Sequence, residues 1–195
     1  NAKLPPEDQY AWVNPGQKHV GGDAIANGFI YKVNTVKIAE GTSPAILNDV
    51  GLAALDGGQD LLDQSAISRI FDGENASRNP LAVTFEEIAS GESFTAALNH
   101  FKSKGSGPSS GVNADKLDGA GAWNDQRELT AKAVLKWLET DPTGSNDPDV
   151  FILGDLNSYA KENPLTILAD AGFENLEDRL DDPYSYVFNG QLGTL

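Results

Sequence analysis

The 195-residue sequence contains no cysteine, no methionine and only two histidines, and its 14 basic residues are outnumbered by 29 acidic ones. Without cysteine, the chain has neither disulfides nor thiolate zinc sites. Its formal net charge of −15 repels polyanions at long range, which argues against tight, unaided binding to nucleic acid. Chemistry on a phosphodiester is still feasible if a cation and a few local positive charges neutralise the phosphate.

Long hydrophobic runs are also missing. No stretch is long and apolar enough to cross a membrane, and no signal peptide is recognisable. Because the sequence starts at Asn1 and has no methionine, we expect a mature or internal piece of a protein. The acidity suits a secreted protein that works in salt, where charges are screened. The length fits one domain or most of one.

The pattern of apolar residues and turn signals predicts an α/β organisation. Residues 1–20, rich in Pro, Lys, Glu and Gln, are predicted to be a tail or loop before a single domain at residues 21–195. Predicted strands lie at 28–33, 81–85, 94–99, 150–153 and 184–188, and several look hairpin-connected, which implies a mixed sheet. Residues 43–69 fit either a short helix or a loop, and 103–123 form a long glycine-rich loop.

Two helices have recognisable ends. One is predicted to start with Asn124 as its cap and to stop before the Asp141-Pro142 pair. Arg127 lies in its first turn and is interpreted as structural. The second helix is predicted between Asn163 and Gly172, with a proline in its first turn.

The most informative segment spans residues 149–160, where an apolar strand leads into Gly154, Asp155 and Asn157. A run that is apolar on both faces is typical of a buried strand. Alternate residues of an extended chain point to the same side, so the carboxylate and the amide would project together. Such a pair can hold a hard cation, a water or a phosphate oxygen. With about equal weight, the two residues form only an Asx turn through their own backbone.

The sequence Gly154-Asp155-Leu156-Asn157 resembles the signature of the endonuclease/exonuclease/phosphatase superfamily, which has the deoxyribonuclease I-like fold. Residues 154–164 as a whole are similar to its bacterial extracellular nuclease branch. Three further stretches resemble the family in the expected order, and they lie at residues 22–25, 77–85 and 99–105. The resemblance covers the chain from about residue 21 to its end.

This resemblance implies a four-layer sandwich, with two mixed β-sheets face to face and helices on the outside. It also implies that the 195 residues are an incomplete fragment, the central part of a catalytic domain. Further metal ligands are expected in early strands upstream, and an Asp-His pair is expected downstream. We therefore expect the isolated chain to be weakly active or inactive.

The same resemblance implies roles for four residues in catalysis. His100 would sit at the scissile phosphate and help proton transfer to the leaving oxygen, a role that suits an imidazole. Asp155 would contact a divalent metal or the attacking water, and Asn157 would orient the phosphate, which makes both candidate metal ligands. Asp23 would orient His100.

Two basic residues are candidates for binding the substrate phosphate. Arg78 resembles the family arginine near the phosphate-binding face, and its fork of donors suits phosphate oxygens. Lys102 would add positive charge next to His100. Simpler interpretations stay open: a strand-end histidine is often structural, Arg78 fits an ion pair, Asp23 fits a turn, and Lys104 fits a solvated side chain.

The implied function is a phosphodiester hydrolase that uses Mg²⁺ or Mn²⁺, with Ca²⁺ as a structural alternative. We predict a secreted bacterial nuclease acting on nucleic acid, with DNA favoured over RNA, no membrane association and no obligate protein partner. Phosphomonoesterase and phospholipid phosphodiesterase are alternatives within the superfamily. A non-catalytic domain of a secreted protein is an alternative of another class. The Asp- and Gly-rich stretch 115–125 suggests a calcium-stabilised adhesin-like domain, although it lacks EF-hand spacing.

Overall fold

A computed structural model describes residues 3–181, 183–188 and 191–193. The strands are β1 (Tyr10–Trp12), β2 (Ile30–Lys32), β3 (Val36–Ile38), β4 (Ala45–Ile46), β5 (Arg78–Glu87), β6 (Ser93–His100), β7 (Val150–Asp155), β8 (Tyr186–Phe188) and β9 (Gln191–Gly193). The α-helices are α1 (Asp49–Ala53), α2 (Gly58–Gln64), α3 (Asn124–Leu138) and α4 (Asn163–Asp170). Short 3₁₀ turns occupy Pro6–Asp8 and Leu176–Arg179.

The main sheet has five strands in the order β3-β5-β6-β7, and β4 also pairs with β5. The hairpin predicted from the sequence is present, because β5 and β6 pair antiparallel with Leu81 opposite Leu98 and Phe85 opposite Phe94. Strand β7 then joins β6 in parallel, and α3 lies in the connection between them. The sheet is therefore mixed, and the predicted α/β class is confirmed.

Alternating side chains of β5 build two hydrophobic cores, one on each face of the main sheet. Ala82 faces the helical side, where Leu129 and Val134 of α3 pack. Val83 and Phe85 face the opposite side, and the Phe85 ring lies 5.6 Å from that of Phe29, beside the small antiparallel sheet of β1 and β2. Three of the four expected layers are thus formed by described residues: helices, main sheet and second sheet.

The prediction of a tail or loop over residues 1–20 is wrong in part. Tyr10–Trp12 forms β1, which pairs antiparallel with β2. Val13, directly after β1, is 3% exposed and belongs to the core between the two sheets. A three-residue strand among polar residues has too few alternating positions for its periodicity to show in the sequence.

The prediction that β7 is buried on both faces is also wrong. Within the described residues β7 pairs only with β6, so it is an edge strand. Phe151 and Leu153 are 44% and 39% exposed. Continuous apolar character predicts a strand but does not reveal how many neighbours that strand has.

The predicted helices α3 and α4 are present, but their caps differ by one residue from the prediction. Trp123, with φ at +66°, occupies the cap position of α3, and the Asn124 side chain instead donates to Glu128 Oε1 at 2.7 Å. Glu162 precedes α4, whose first turn contains the expected Pro164. Within the described ranges, none of the helices has the length and apolar character that crossing a membrane requires.

The segment predicted to be a short helix or a loop contains two short helices, α1 and α2. Asn48 caps α1 by accepting a hydrogen bond from Gly51 N at 2.7 Å. The predicted last strand is present as β8, which pairs antiparallel with β9. Residues 189 and 190, and the last two residues of the chain, lie outside the described part.

Candidate functional site

Three neighbouring strands bring the principal predicted site residues to one end of the main sheet. Arg78, the first residue of β5, is opposite His100, the last residue of β6. His100 is in turn paired in register with Asp155, the last residue of β7. Because β5 runs against the other two strands, its start meets their ends, and a guanidinium, an imidazole and a carboxylate lie side by side.

His100 and Asp155 approach each other, as the roles implied by the resemblance require. His100 Nε2 is 3.8 Å from Asp155 Oδ2, which is longer than a hydrogen bond and within the range of an ion pair when the imidazole is protonated. The His100 side chain is 24% exposed and that of Asp155 is 48% exposed. The pair therefore lies at the protein surface, where a substrate could reach both groups.

Burial and the surrounding charges set the proton affinity of His100. Partial burial lowers the pKa of His100, and the Arg78 guanidinium lowers it further. The carboxylates of Asp155 and Asp23 raise this pKa, but less than the other two effects lower it. The net shift is downward from the ordinary value, so the imidazole is mainly neutral at pH 7.

Of the two interpretations that the sequence left open for Asp155 and Asn157, the structure contains the Asx turn. Asn157 N donates to Asp155 Oδ1 at 2.9 Å, which is the Asx turn, while the second oxygen of Asp155 faces His100. Asn157 has φ at +48°, a left-handed conformation that asparagine tolerates. Its side-chain amide donates to the Phe101 carbonyl at 3.0 Å, which ties the end of β7 to the residue after His100.

Asp23 forms its ion pair with Arg78 and not with His100. Arg78 Nε lies 3.3 Å from Asp23 Oδ2, and Asp23 Oδ1 accepts from Ile25 N at 3.2 Å. The expectation that Asp23 orients His100 is therefore corrected: it holds the arginine and affects the imidazole only through its charge. The simpler interpretations, an ion pair for Arg78 and a turn for Asp23, describe these contacts.

Lys102 adds a second cation next to Arg78. Its Nζ lies 5.3 Å from the centroid of the Trp123 ring, a cation–π contact. Burial lowers the pKa of Lys102, and the like charge of Arg78 lowers it further. Lys104, which the sequence left as solvated, instead forms an ion pair with Glu162 and lies over the Tyr159 ring.

Of the two side chains that support this end of the sheet, sequence reasoning missed Ser77, and it predicted for Arg127 only an unspecified structural role. Ser77, 1% exposed, accepts a hydrogen bond from Lys102 N, and Arg127, 0% exposed, donates to the Lys102 carbonyl. The one sequence signal for Arg127 is its place in the apolar stripe of α3, where a charged side chain needs partners. Ser77 carries no such signal, because a serine before a strand is compatible with almost any environment.

The described residues do not form a complete set of metal ligands. Nowhere in the described part of the chain do three or more His, Asp or Glu side chains cluster as a metal site requires. The donors present are the half-exposed Asp155 carboxylate and the neighbouring Asn157, which suit Mg²⁺ only if water and substrate oxygens complete its coordination. The chemistry of this donor set fits one or two direct contacts and no more.

No family model matches the chain, and no curated protein matches it either. Solved structures similar to the chain include the human Nocturnin catalytic domain with bound sulfate, at 16% identity and a TM-score of 0.48 over 80% of this chain and 46% of that one. An endonuclease/exonuclease/phosphatase family protein from Bacteroides thetaiotaomicron has 14% identity and a TM-score of 0.48, over 86% of this chain and 48% of that one. A mannosyl-6-phosphatase from the same organism has 14% identity and a TM-score of 0.46, over 86% of this chain and 49% of that one. The chain therefore spans about half the length of these solved structures.

Proposed function

We propose that the chain is part of a phosphoester hydrolase of the endonuclease/exonuclease/phosphatase superfamily, specifically a secreted bacterial nuclease that cleaves phosphodiester bonds in DNA. The observation that carries this proposal is the meeting of Arg78, His100 and Asp155 at one end of three adjacent strands. The four motifs that resemble the superfamily support the proposal, since each motif contributes one residue to this site: Asp23, Arg78, His100 and Asp155.

Positive charge at this site supports phosphate as the ligand. Arg78 and Lys102 are close enough for one to lower the pKa of the other, although the molecule carries a formal net charge of −15. Two like charges held together repel each other, and the Asp23 carboxylate, 3.3 Å from Arg78 Nε, offsets this repulsion only in part. A phosphate group would relieve this repulsion, and the forked donors of Arg78 would match its oxygens.

His100 and Asp155 supply the proton chemistry in this proposal. A phosphate bound near Arg78 brings negative charge next to the imidazole, which raises the pKa of His100 toward the protonated form. Protonated His100 then donates its proton to the leaving oxygen as the bond from phosphorus to that oxygen breaks, while water attacks phosphorus from the opposite side and releases a proton to solvent. Asp155 stabilises the imidazolium through its free oxygen.

Mg²⁺ or Mn²⁺ is the expected cofactor, with Asp155 and Asn157 as its candidate ligands in this chain. When bound, such an ion would neutralise phosphate charge and lower the pKa of a coordinated water.

A panel of phosphate esters tests the proposal. Plasmid DNA, bis(4-nitrophenyl) phosphate, 4-nitrophenyl phosphate and phospholipid vesicles are each incubated with Mg²⁺ or with EDTA. Both the 195-residue chain and the chain with its native flanking sequence are assayed. We expect cleavage of plasmid and of the small diester by the extended chain, weak or no cleavage by the short one, and no reaction in EDTA.

The other outcomes separate the alternatives. Preference for the monoester would replace the nuclease with a phosphomonoesterase, and preference for vesicles would indicate a phospholipid phosphodiesterase. If the extended chain, folded and supplied with Mg²⁺ or Mn²⁺, hydrolyses none of the four, the proposed function is wrong and a non-catalytic role takes its place.

A further inference from the structure

Buried side chains hold the peptide groups on both sides of Lys102. The Lys102 N–H donates to Ser77 Oγ at 3.0 Å, and the Lys102 carbonyl accepts from Arg127 Nη1 at 3.2 Å. Ser77 is 1% exposed and Arg127 is 0% exposed. Hydrogen bonds in such surroundings are costly to break, because the groups left behind cannot turn to water. The backbone position of Lys102 is therefore fixed.

Helix α3 contains one of these supports, Arg127, and binds the other, Ser77, through Thr130. Thr130 Oγ1 lies 2.7 Å from Ser77 Oγ and donates to the Gln126 carbonyl at 2.8 Å. Because each hydroxyl has a single proton, Ser77 donates to Thr130, and the hydrogen bonds run from Lys102 N–H through Ser77 and Thr130 to the helix backbone. Arg127 and Thr130 are three residues apart, so they lie on the same side of α3.

The terminal nitrogens of Arg127 also bind the loop that follows Lys102, whereas its buried Nε has no hydrogen-bond partner among the residues that the structure describes. Its guanidinium donates to the Ala122 and Ala120 carbonyls, each at 2.7 Å. No carboxylate in the described part of the chain forms an ion pair with Arg127, although burying an unpaired charge is costly. The hydrogen bonds of this buried guanidinium go to carbonyls of the loop and of Lys102. Arg127 therefore holds this segment in place.

We propose that Ser77 and Arg127 are positioning residues for Lys102, holding its ammonium group next to Arg78 so that two cations contact one phosphate. This inference rests on the proposed function. Ser77 immediately precedes Arg78 in the sequence, so a single residue links the backbone of one cation to that of the other. The Trp123 ring, 5.3 Å from Lys102 Nζ, adds support from the side-chain end.

A support is needed because the two cations repel each other, and Asp23, which pairs with Arg78, offsets that repulsion only in part. A free lysine next to an arginine would turn away into solvent, where its charge is hydrated. The lowered pKa of Lys102, caused by burial and then by Arg78, agrees with an ammonium that is kept from doing so. The phosphate-binding site is thus preorganised before phosphate binds.

Two buried serines allow a matched test with Ser77→Ala and Ser65→Ala. Ser65 is 4% exposed and also contacts α3, through Gln126 Oε1 at 3.1 Å, but it does not touch Lys102. Both variants are made in the extended chain, alone and combined with Lys102→Met. The values of kcat and KM are measured with bis(4-nitrophenyl) phosphate and Mg²⁺.

If Ser77 acts through Lys102, Ser77→Ala raises KM roughly fivefold, as expected for loss of one hydrogen bond, and leaves kcat within about twofold. Ser65→Ala leaves KM unchanged. In the Lys102→Met background, Ser77→Ala has less than about a twofold further effect. An unchanged KM in Ser77→Ala, or the same rise in both backgrounds, would overturn the proposal.

A second measurement does not depend on activity. NMR titration of the lysine side chains follows the pKa of Lys102 in the same variants. Release of Lys102 by Ser77→Ala should raise this pKa toward its ordinary value, whereas Ser65→Ala should not change it. An unchanged Lys102 pKa in Ser77→Ala overturns the positioning role. A wild-type chain without activity but with the expected Lys102 shifts would refute only the proposed function.

Discussion

At the scale of single residues, burial and two neighbours of opposite sign shift the pKa of His100. Burial lowers the pKa of His100 most, Arg78 lowers it further, and Asp155 raises it. Removing a cation removes a penalty on the protonated imidazole, and removing a carboxylate removes a stabilising partner. The two substitutions must therefore move this pKa in opposite directions.

We predict that Arg78→Gln raises the pKa of His100 and that Asp155→Asn lowers it. The chain has only two histidines, so the imidazole proton signals can be followed by NMR against pH with His19 as the internal reference. His19 is exposed and lies in the loop after β1. Shifts of the same sign in both variants, or no shift in either, would show that the strand ends do not place these charges as described.

The residues of the site were predictable to different extents. His100 and Asp155 could be assigned to one site because the motifs that contain them resemble the same superfamily, and the apolar pattern placed each at the end of a strand. The pairing of Asp23 with Arg78 was beyond prediction, because it depends on the path of a loop whose residues follow no period. Ser77 was missed for a similar reason: its partners are 25 and 53 residues away in the sequence.

At the scale of elements, the site depends on close contact between β6 and β7 at Gly154. This residue has φ at +120°, and a Cβ placed there would lie 2.0 Å from the Asn99 carbonyl oxygen. Asn99 precedes His100, and Gly154 precedes Asp155. A side chain at position 154 would therefore push apart the two strands whose last residues form the pair.

We predict that Gly154→Ala destabilises the fold by about 3 kcal/mol or more, since backbone strain and a steric clash add. Gly144→Ala is the control: Gly144 has φ at +75° with open space around its Cβ position, so only about 1 kcal/mol is expected there. Urea unfolding measures both. Equal costs for the two substitutions would contradict the close β6–β7 contact.

The elements themselves were predictable where periodicity was strong. The hairpin of β5 and β6 has long apolar strands joined by a short polar turn, and the structure contains it with the expected pairing. The edge position of β7 was not predictable, because it depends on which strands lie beside it and not on its own residues. The cap of α3 is Trp123 and not the predicted Asn124, because Trp123 takes the left-handed conformation before the helix.

At the scale of the whole molecule, a formal net charge of −15 surrounds a site whose two cations, Arg78 and Lys102, lie near the carboxylates of Asp23 and Asp155. This net charge would slow the approach of DNA, the proposed substrate, and Arg78 with Lys102 would attract its phosphate only at short range. Salt weakens the long-range repulsion more than the short-range contacts, because the repulsion acts over distances beyond the Debye length. Nucleases with basic surfaces show the opposite behaviour, since salt weakens their phosphate contacts.

We predict that kcat/KM for plasmid DNA rises when ionic strength increases from about 20 to about 150 mM, as the Debye length falls from roughly 20 to roughly 8 Å. Bis(4-nitrophenyl) phosphate, with a single charge, should respond much less. Both rates are measured in the extended chain at constant Mg²⁺. A tenfold fall in kcat/KM for plasmid DNA over this range of ionic strength would show that the net charge does not govern the encounter between enzyme and DNA.

Comparison of the two histidine variants in plasmid cleavage tests the central claim most directly. In the extended chain with Mg²⁺, His100→Ala should lower kcat by about 10²- to 10⁴-fold, the usual effect of losing a general acid. His19→Ala should stay within about twofold of wild type, and thermal melting verifies that both variants fold. Wild-type turnover in His100→Ala, or an equal loss in the two variants, would contradict a catalytic site at the ends of β6 and β7.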